Sequence, residues 1–177
     1  MKTIALLRFA ISMMGPFHTD SQSQAEFSVD AIRLGCSVSF SKQFHAIPED
    51  PLSNPPFDIS VDWHCRDGEA ITIDKYEING SSPEVETLFY WQGRNIVMLV
   101  KWSVNSQASE YVGDYYKVFA YRYEREGGGG KFKKNETIMK NFPAGFDGRS
   151  KNGLRATYPF KNAASIRKRL QTLKINN

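Results

Sequence analysis

Over most of its length the chain alternates apolar and polar positions, the period of two that a half-buried strand requires. Ile59 to Cys65 alternates in this way. Ala70 to Ile78 does the same, with Ile71, Ile73, Tyr76 and Ile78 near one period. Phe27 to Phe40 is apolar with interruptions and has room for one or two strands. Val85 to Trp91 ends in Leu88-Phe89-Tyr90-Trp91, and Ile96 to Trp102 follows after Gln92-Gly93-Arg94-Asn95. Two β-branched and aromatic runs across a short Gly-containing connection predict a hairpin. Ile96-Val97-Met98-Leu99-Val100 is apolar at every position, so this strand is expected to be central and covered on both faces. Tyr115 to Tyr123 predicts another strand. Tyr116, Val118, Ala120 and Arg122 lie on one side of it, and Lys117, Phe119, Tyr121 and Tyr123 on the other.

Breakers separate these runs. Pro48, Pro51, Pro55 and Pro56 make 45–57 a loop, because proline cannot donate to a strand ladder. Asp67-Gly68 and Asn79-Gly80-Ser81-Ser82-Pro83 read as turns. Gly127 to Gly130 is expected to be a loop tip or linker. The pattern then changes. Ala163, Ile166, Leu170 and Leu173 recur at helical spacing, which predicts an amphipathic helix over 161–174 with Asn162 as its cap. The fold class these elements predict is α+β: a mostly antiparallel, curled β-sheet with a C-terminal amphipathic helix packed on it.

Composition adds bounds. A chain of 177 residues, 41% hydrophobic and 13% aromatic, is expected to form one domain with a real core, a composition that argues against intrinsic disorder. No run of 18 apolar residues suggests a membrane-spanning helix. Residues 1–25 have a secretory layout: Lys2, an apolar stretch from Ile4 to Phe17 interrupted by Arg8, and the small-x-small site Ser23-Gln24-Ala25. The expectation is a cleaved leader, 26–177 as the mature β-rich domain, and a periplasmic or secreted location. The competing reading is a first amphipathic helix of a cytosolic protein. In an oxidising compartment Cys36 and Cys65 can form one bridge, whereas in the cytosol they would be two buried thiols.

Charge is unevenly distributed. Residues 131–177 hold twelve Lys or Arg against Glu136 and Asp147, while 1–130 hold eleven basic and seventeen acidic residues. Two readings follow: a basic face that steers an acidic partner, or a basic tail packed on the acidic half that carries Asp58, Asp62, Asp67, Glu69 and Asp74. The strand Tyr116 to Glu124 has the alternation of an RNA-binding strand but lacks the RNP1 glycines.

Catalytic chemistry finds no constellation. His18 falls in the expected leader, His45 beside the proline loop and His64 beside Cys65. No G-x-S-x-G, phosphate-cradling or zinc spacing occurs. Glu84 and Glu86 share a strand face but suit a solvated surface better than a glycosidase pair. Asn79-Gly80-Ser81 and Asn135-Glu136-Thr137 fit the glycosylation sequon. The sequence therefore predicts a non-enzyme with no cofactor and no metal site.

The signal-like MKTIALLRFAISMMG, the cysteine pair, the sheet and the KNAASIRKRL helix together give a build that resembles periplasmic immunity proteins. These are antidotes that bacteria keep against secreted antibacterial effectors. The resemblance implies tight binding of a toxin or enzyme in the bacterial envelope. The expected contact is the glycine loop with its lysines: Gly127, Gly130, Lys131, Lys133 and Lys134. Tyr90, Trp91 and Trp102 are expected to be core. Three alternatives stay open. One is a binder of a small ligand or envelope component, with a cavity inside the curled sheet. A second is a cytosolic nucleic-acid-binding protein, if 1–25 is retained. The third is a hydrolase using His64 or the carboxylates.

Overall fold

The computed structural model describes residues 26–47, 54–105 and 109–173; the expected leader, 1–25, and His18 lie outside them. Two antiparallel sheets face each other. The first comprises β1 (Glu26–Ser28), β2 (Cys36–Phe44), β3 (Phe57–Cys65) and β4 (Ala70–Tyr76) in that order. The second comprises β5 (Pro83–Trp91), β6 (Asn95–Val104), β7 (Tyr111–Glu126), β8 (Gly129–Lys134), β9 (Gly145–Ser150) and β10 (Arg155–Ala156). Its order is β10-β9-β7-β6-β5, and β8 also pairs with β7. The long β7 serves two partners on one side. Tyr111 to Tyr116 pairs with β9, and Tyr121 to Glu126 pairs with β8. A short helix, α1 (Glu136–Met139), and a C-terminal helix, α2 (Ala163–Thr172), complete the chain.

This arrangement bears out the mostly antiparallel sheet and the C-terminal helix, and it corrects the single curled sheet to two. β6 supplies the physical reason. Ile96, Met98 and Val100 face the first sheet, where they pack with Val38, Val61, Trp63 and Tyr76. Val97 and Leu99 face the other way and pack with Ile166 and Leu170 of α2. A strand apolar on both faces needs two covers, so the layers run sheet, sheet, helix. β7 divides as its alternation predicted. Phe119, Tyr121 and Tyr123 join the inter-sheet core, while Tyr116, Val118 and Ala120 join the helix side.

Local chemistry sets the boundaries. The predicted β5–β6 hairpin turns through Gln92 and Gly93, both at positive φ (48° and 66°). Asn162 caps α2 as expected, its side chain accepting from Ser165 N at 2.9 Å. The glycine run is a loop only in part: Gly127 and Gly128 form the turn, while Gly129 and Gly130 already belong to β8. Gly130 is required there, because a Cβ would stand 2.4 Å from the Tyr123 ring. Asn135, within a predicted sequon, caps α1 by accepting from Ile138 N at 3.2 Å and donates to Asn95 Oδ1 at 2.9 Å.

Candidate functional site

The two cysteines are directly opposed in the β2–β3 register and form a disulfide. Their backbone N–H groups turn elsewhere, Cys36 N to Arg33 O and Cys65 N to Glu69 O. They therefore occupy a non-hydrogen-bonded pair, the position where facing Cα atoms come closest; theirs are 4.0 Å apart.

Next to the bridge, the β3–β4 turn brings Glu69 against Trp63 and the β7–β8 hairpin. Glu69 Oε1 accepts from Gly130 N at 2.7 Å. Its Oε2 accepts from Trp63 Nε1 at 3.1 Å, from the Tyr123 hydroxyl at 3.4 Å and from the Arg33 guanidinium. Arg33 also pairs with Asp67. Burial alone would raise the Glu69 pKa. The Gly130 N–H, the Trp63 indole and Arg33 outweigh burial and hold it below its ordinary value. A carboxylate that accepts from these donors stays ionised, and Glu69 ties the β3–β4 turn to the β7–β8 hairpin.

The three lysines lie on strand β8, just past the turn, and each is ion-paired. Lys131 pairs with Glu126, Lys133 with Glu124 at 2.6 Å and Lys134 with Asp74 at 3.1 Å. The Lys133 ammonium holds the Glu124 carboxyl below its usual range. Asp74 in turn accepts from the Tyr121 hydroxyl at 2.6 Å, and Tyr121 meets the Tyr76 hydroxyl at 3.0 Å. Burial pushes both phenols up. The tail and the acidic half thus meet at Lys134–Asp74, while Lys161 turns to Asp147.

The other singled-out residues are apart from one another. His64 is an exposed β3 residue whose side chain makes no hydrogen bond or ion pair among the described residues. It lies on the rim of an open cleft of about 490 Å³ beside the disulfide, with Glu26, Ser28, Asp30, Ser37 and Arg66. In that cleft Ser37 stands opposite His64 in the β2–β3 register, and its hydroxyl donates to the Glu26 carboxylate. Glu84 and Glu86 both clamp Lys101, at 2.9 and 2.8 Å. Trp102 is buried, with its indole donating to Glu77 O at 2.9 Å. Tyr90 and Trp91 are partly buried and pack against the two cores. Among the described residues no group of three or more His, Cys, Asp or Glu side chains is placed to hold a metal ion. No helix among them is long and apolar enough to cross a membrane.

The chain matches no family model, no curated protein and no solved structure.

His45 is part of a buried acid site. Its Nε2 and the Lys75 ammonium each lie 2.9 Å from Asp58 Oδ2, and Ile78 N donates to Oδ1 at 3.0 Å. Lys75 is the main cause of an Asp58 pKa of about 2; burial opposes the shift, and Ile78 and His45 add to it. A depressed carboxyl contributes stability above its unfolded pKa and loses it as pH falls through the folded one. Melting temperature is therefore expected to fall between pH 3.8 and about 2 as Asp58 protonates. Asp58→Asn is expected to be less stable at neutral pH and to show a shallower acid limb. Identical limbs in a pH series of thermal melts would contradict the assignment.

Sequence reasoning missed the β9–β10 hairpin. Its signal was present: Asn152-Gly153 is a hairpin-turn dipeptide, with Arg149 and Arg155 on either side of it. In the structure these two arginines face each other across the hairpin, both exposed.

Proposed function

We propose that the protein is an exported binding protein of the immunity type, which neutralises a toxin or enzyme in the bacterial envelope by forming a stoichiometric complex. The observation that carries this reading is the Cys36–Cys65 bridge on a body whose interior is filled. A structural disulfide favours an oxidising compartment. Trp63, Met98, Tyr121 and Ile96 fill the space between the sheets, so the surface is where such a body acts. The same packing weighs against a ligand cavity inside the sheet, and the disulfide weighs against a cytosolic nucleic-acid binder.

An antidote of this kind blocks its target by covering the active site, with charge complementarity setting the association rate. The test is a titration of candidate secreted toxins with the purified protein. The activity of one toxin is expected to fall to zero at equimolar protein, with a matching complex on size exclusion. Turnover of a substrate by the protein alone would overturn the reading.

A further inference from the structure

The geometry points to the β9–β10 hairpin, not the lysine-bearing β7–β8 hairpin, as the surface that docks an acidic patch of the protein partner. This inference rests on the binding reading above and names its contact. Four of the cations in 131–177 are ion-paired within the chain: Lys131, Lys133, Lys134 and Lys161. Arg149 and Arg155, like Lys140, Arg167, Lys168 and Arg169, have no such pair among the described residues, and their placement sets the two apart. They are directly opposed on β9 and β10, they share one face of the sheet, and neither meets a carboxylate among the described residues. On that face Asp147 is engaged with Lys161 and Asp114 with the Ser103 hydroxyl at 2.9 Å, while Glu110, just before β7, is exposed and forms no ion pair with either arginine. Like charges directly opposed across strands destabilise a sheet. An incoming carboxylate between the two guanidiniums would relieve that repulsion and gain charge-assisted hydrogen bonds.

Apolar neighbours favour a protein over a nucleic acid. Val112 pairs with Arg149 on the same face and is 48% exposed, and Leu154 at the hairpin tip is 68% exposed. Arginine flanked by exposed aliphatic groups is the composition of a protein-docking patch. The hairpin is also held rigidly. Ser150 N donates to Leu154 O at 2.9 Å, Gly153 N to Ser150 O at 2.9 Å and Lys151 N to Glu110 O at 2.9 Å. Gly113 and Gly148 are opposed, and a Cβ at Gly148 would stand 2.2 Å from Val112 O. Close strand approach therefore fixes β9 on β7, and a preformed surface loses little freedom on docking.

The probe is a short synthetic peptide alternating Glu and Leu, titrated at low salt against the full protein, with an oligonucleotide of equal charge alongside. The double variant Arg149→Gln/Arg155→Gln is expected to bind the peptide at least about tenfold more weakly, the loss of about one charged contact. Lys131→Gln/Lys133→Gln/Lys134→Gln is expected to bind like the unchanged protein. Arg155→Glu is expected to shift the melting temperature upward, because it replaces a like pair by an opposite one, and to lose the peptide. That combination separates a docking role from a structural one. The assignment is overturned if the unchanged protein ignores the peptide, if the arginine variants keep it, if the lysine variant loses it, or if the oligonucleotide binds more tightly. Each of these outcomes removes the hairpin alone; the inhibitor reading falls separately, on turnover by the protein.

Discussion

Trp63→Ala is expected to lower the melting temperature by roughly 6–20 °C. Trp63 is fully buried at the centre of the inter-sheet core. Its ring stacks on Tyr123 with centroids 5.2 Å apart and meets the edge of Phe132 at 5.1 Å. Truncating a buried tryptophan costs about 3–5 kcal/mol, because contacts are lost and a cavity remains. In a chain of this size each kcal/mol moves the melting temperature by roughly 2–4 °C. The indole N–H also ties Glu69 to β3. Trp63→Phe keeps most of the ring and removes that bond, so it is expected to fall well short of the alanine variant. Equal losses in thermal melts would mean that the hydrogen bond, and not packing, carries the position. A loss under about 1 kcal/mol for alanine would contradict the two-sheet core.

Removing the disulfide is the second large effect. The bridge closes a sequence separation of 29 residues. Restricting the unfolded chain over such a loop stabilises the fold by about 3–4 kcal/mol in the chain-entropy description. Cys36→Ala/Cys65→Ala, or reduction of the unchanged protein, is expected to lower the urea midpoint and to steepen the slope, because the freed unfolded chain exposes more surface. The loss is a large share of the roughly 5–15 kcal/mol that holds a typical domain together. An unchanged midpoint on reduction would show that the cross-strand pair contributes nothing. The double alanine variant should match the reduced protein, since both free the same loop.

The two predictions meet at one place. Trp63, Cys65 and Glu69 follow one another through the end of β3 and its turn. They join the disulfide, the inter-sheet core and the β7–β8 hairpin. Gly130 N on Glu69 and Lys134 on Asp74 fasten that hairpin to the first sheet. The lysines that the sequence offered as a contact surface are therefore part of how the hairpin is secured. Exposed pairs of this kind add little stability, because water screens them. They do lower the charge that the hairpin presents to a partner.

Elements with a strong period were legible in the chain. Ile96 to Val100 announced a strand covered on both faces, Gln92-Gly93 announced its hairpin, and Ile166 and Leu170 marked the buried side of α2. What alternation cannot convey is which sheet a strand joins, because a period of two reports a facing and not a neighbour. That is why one curled sheet was expected where two are found. β8 escaped for a local reason: Gly129 and Gly130 read as breakers, and Phe132 is the sole apolar residue in Lys131 to Lys134. β9 was hidden by its glycines, which close strand approach demands. Charge counting located the basic segment but could not tell neutralised cations from bare ones. That distinction depends on which carboxylates the fold brings near, and it moves the candidate surface from Lys131, Lys133 and Lys134 to Arg149 and Arg155.

The central claim, an exported and disulfide-locked binding protein, is tested most directly by the intact mass of the protein expressed from its own start. Alkylation is carried out with and without prior reduction. The account predicts a mass matching 26–177, with both thiols blocked only after reduction. A full-length mass with Cys36 and Cys65 alkylated at once would contradict it, and the cytosolic nucleic-acid reading would take its place.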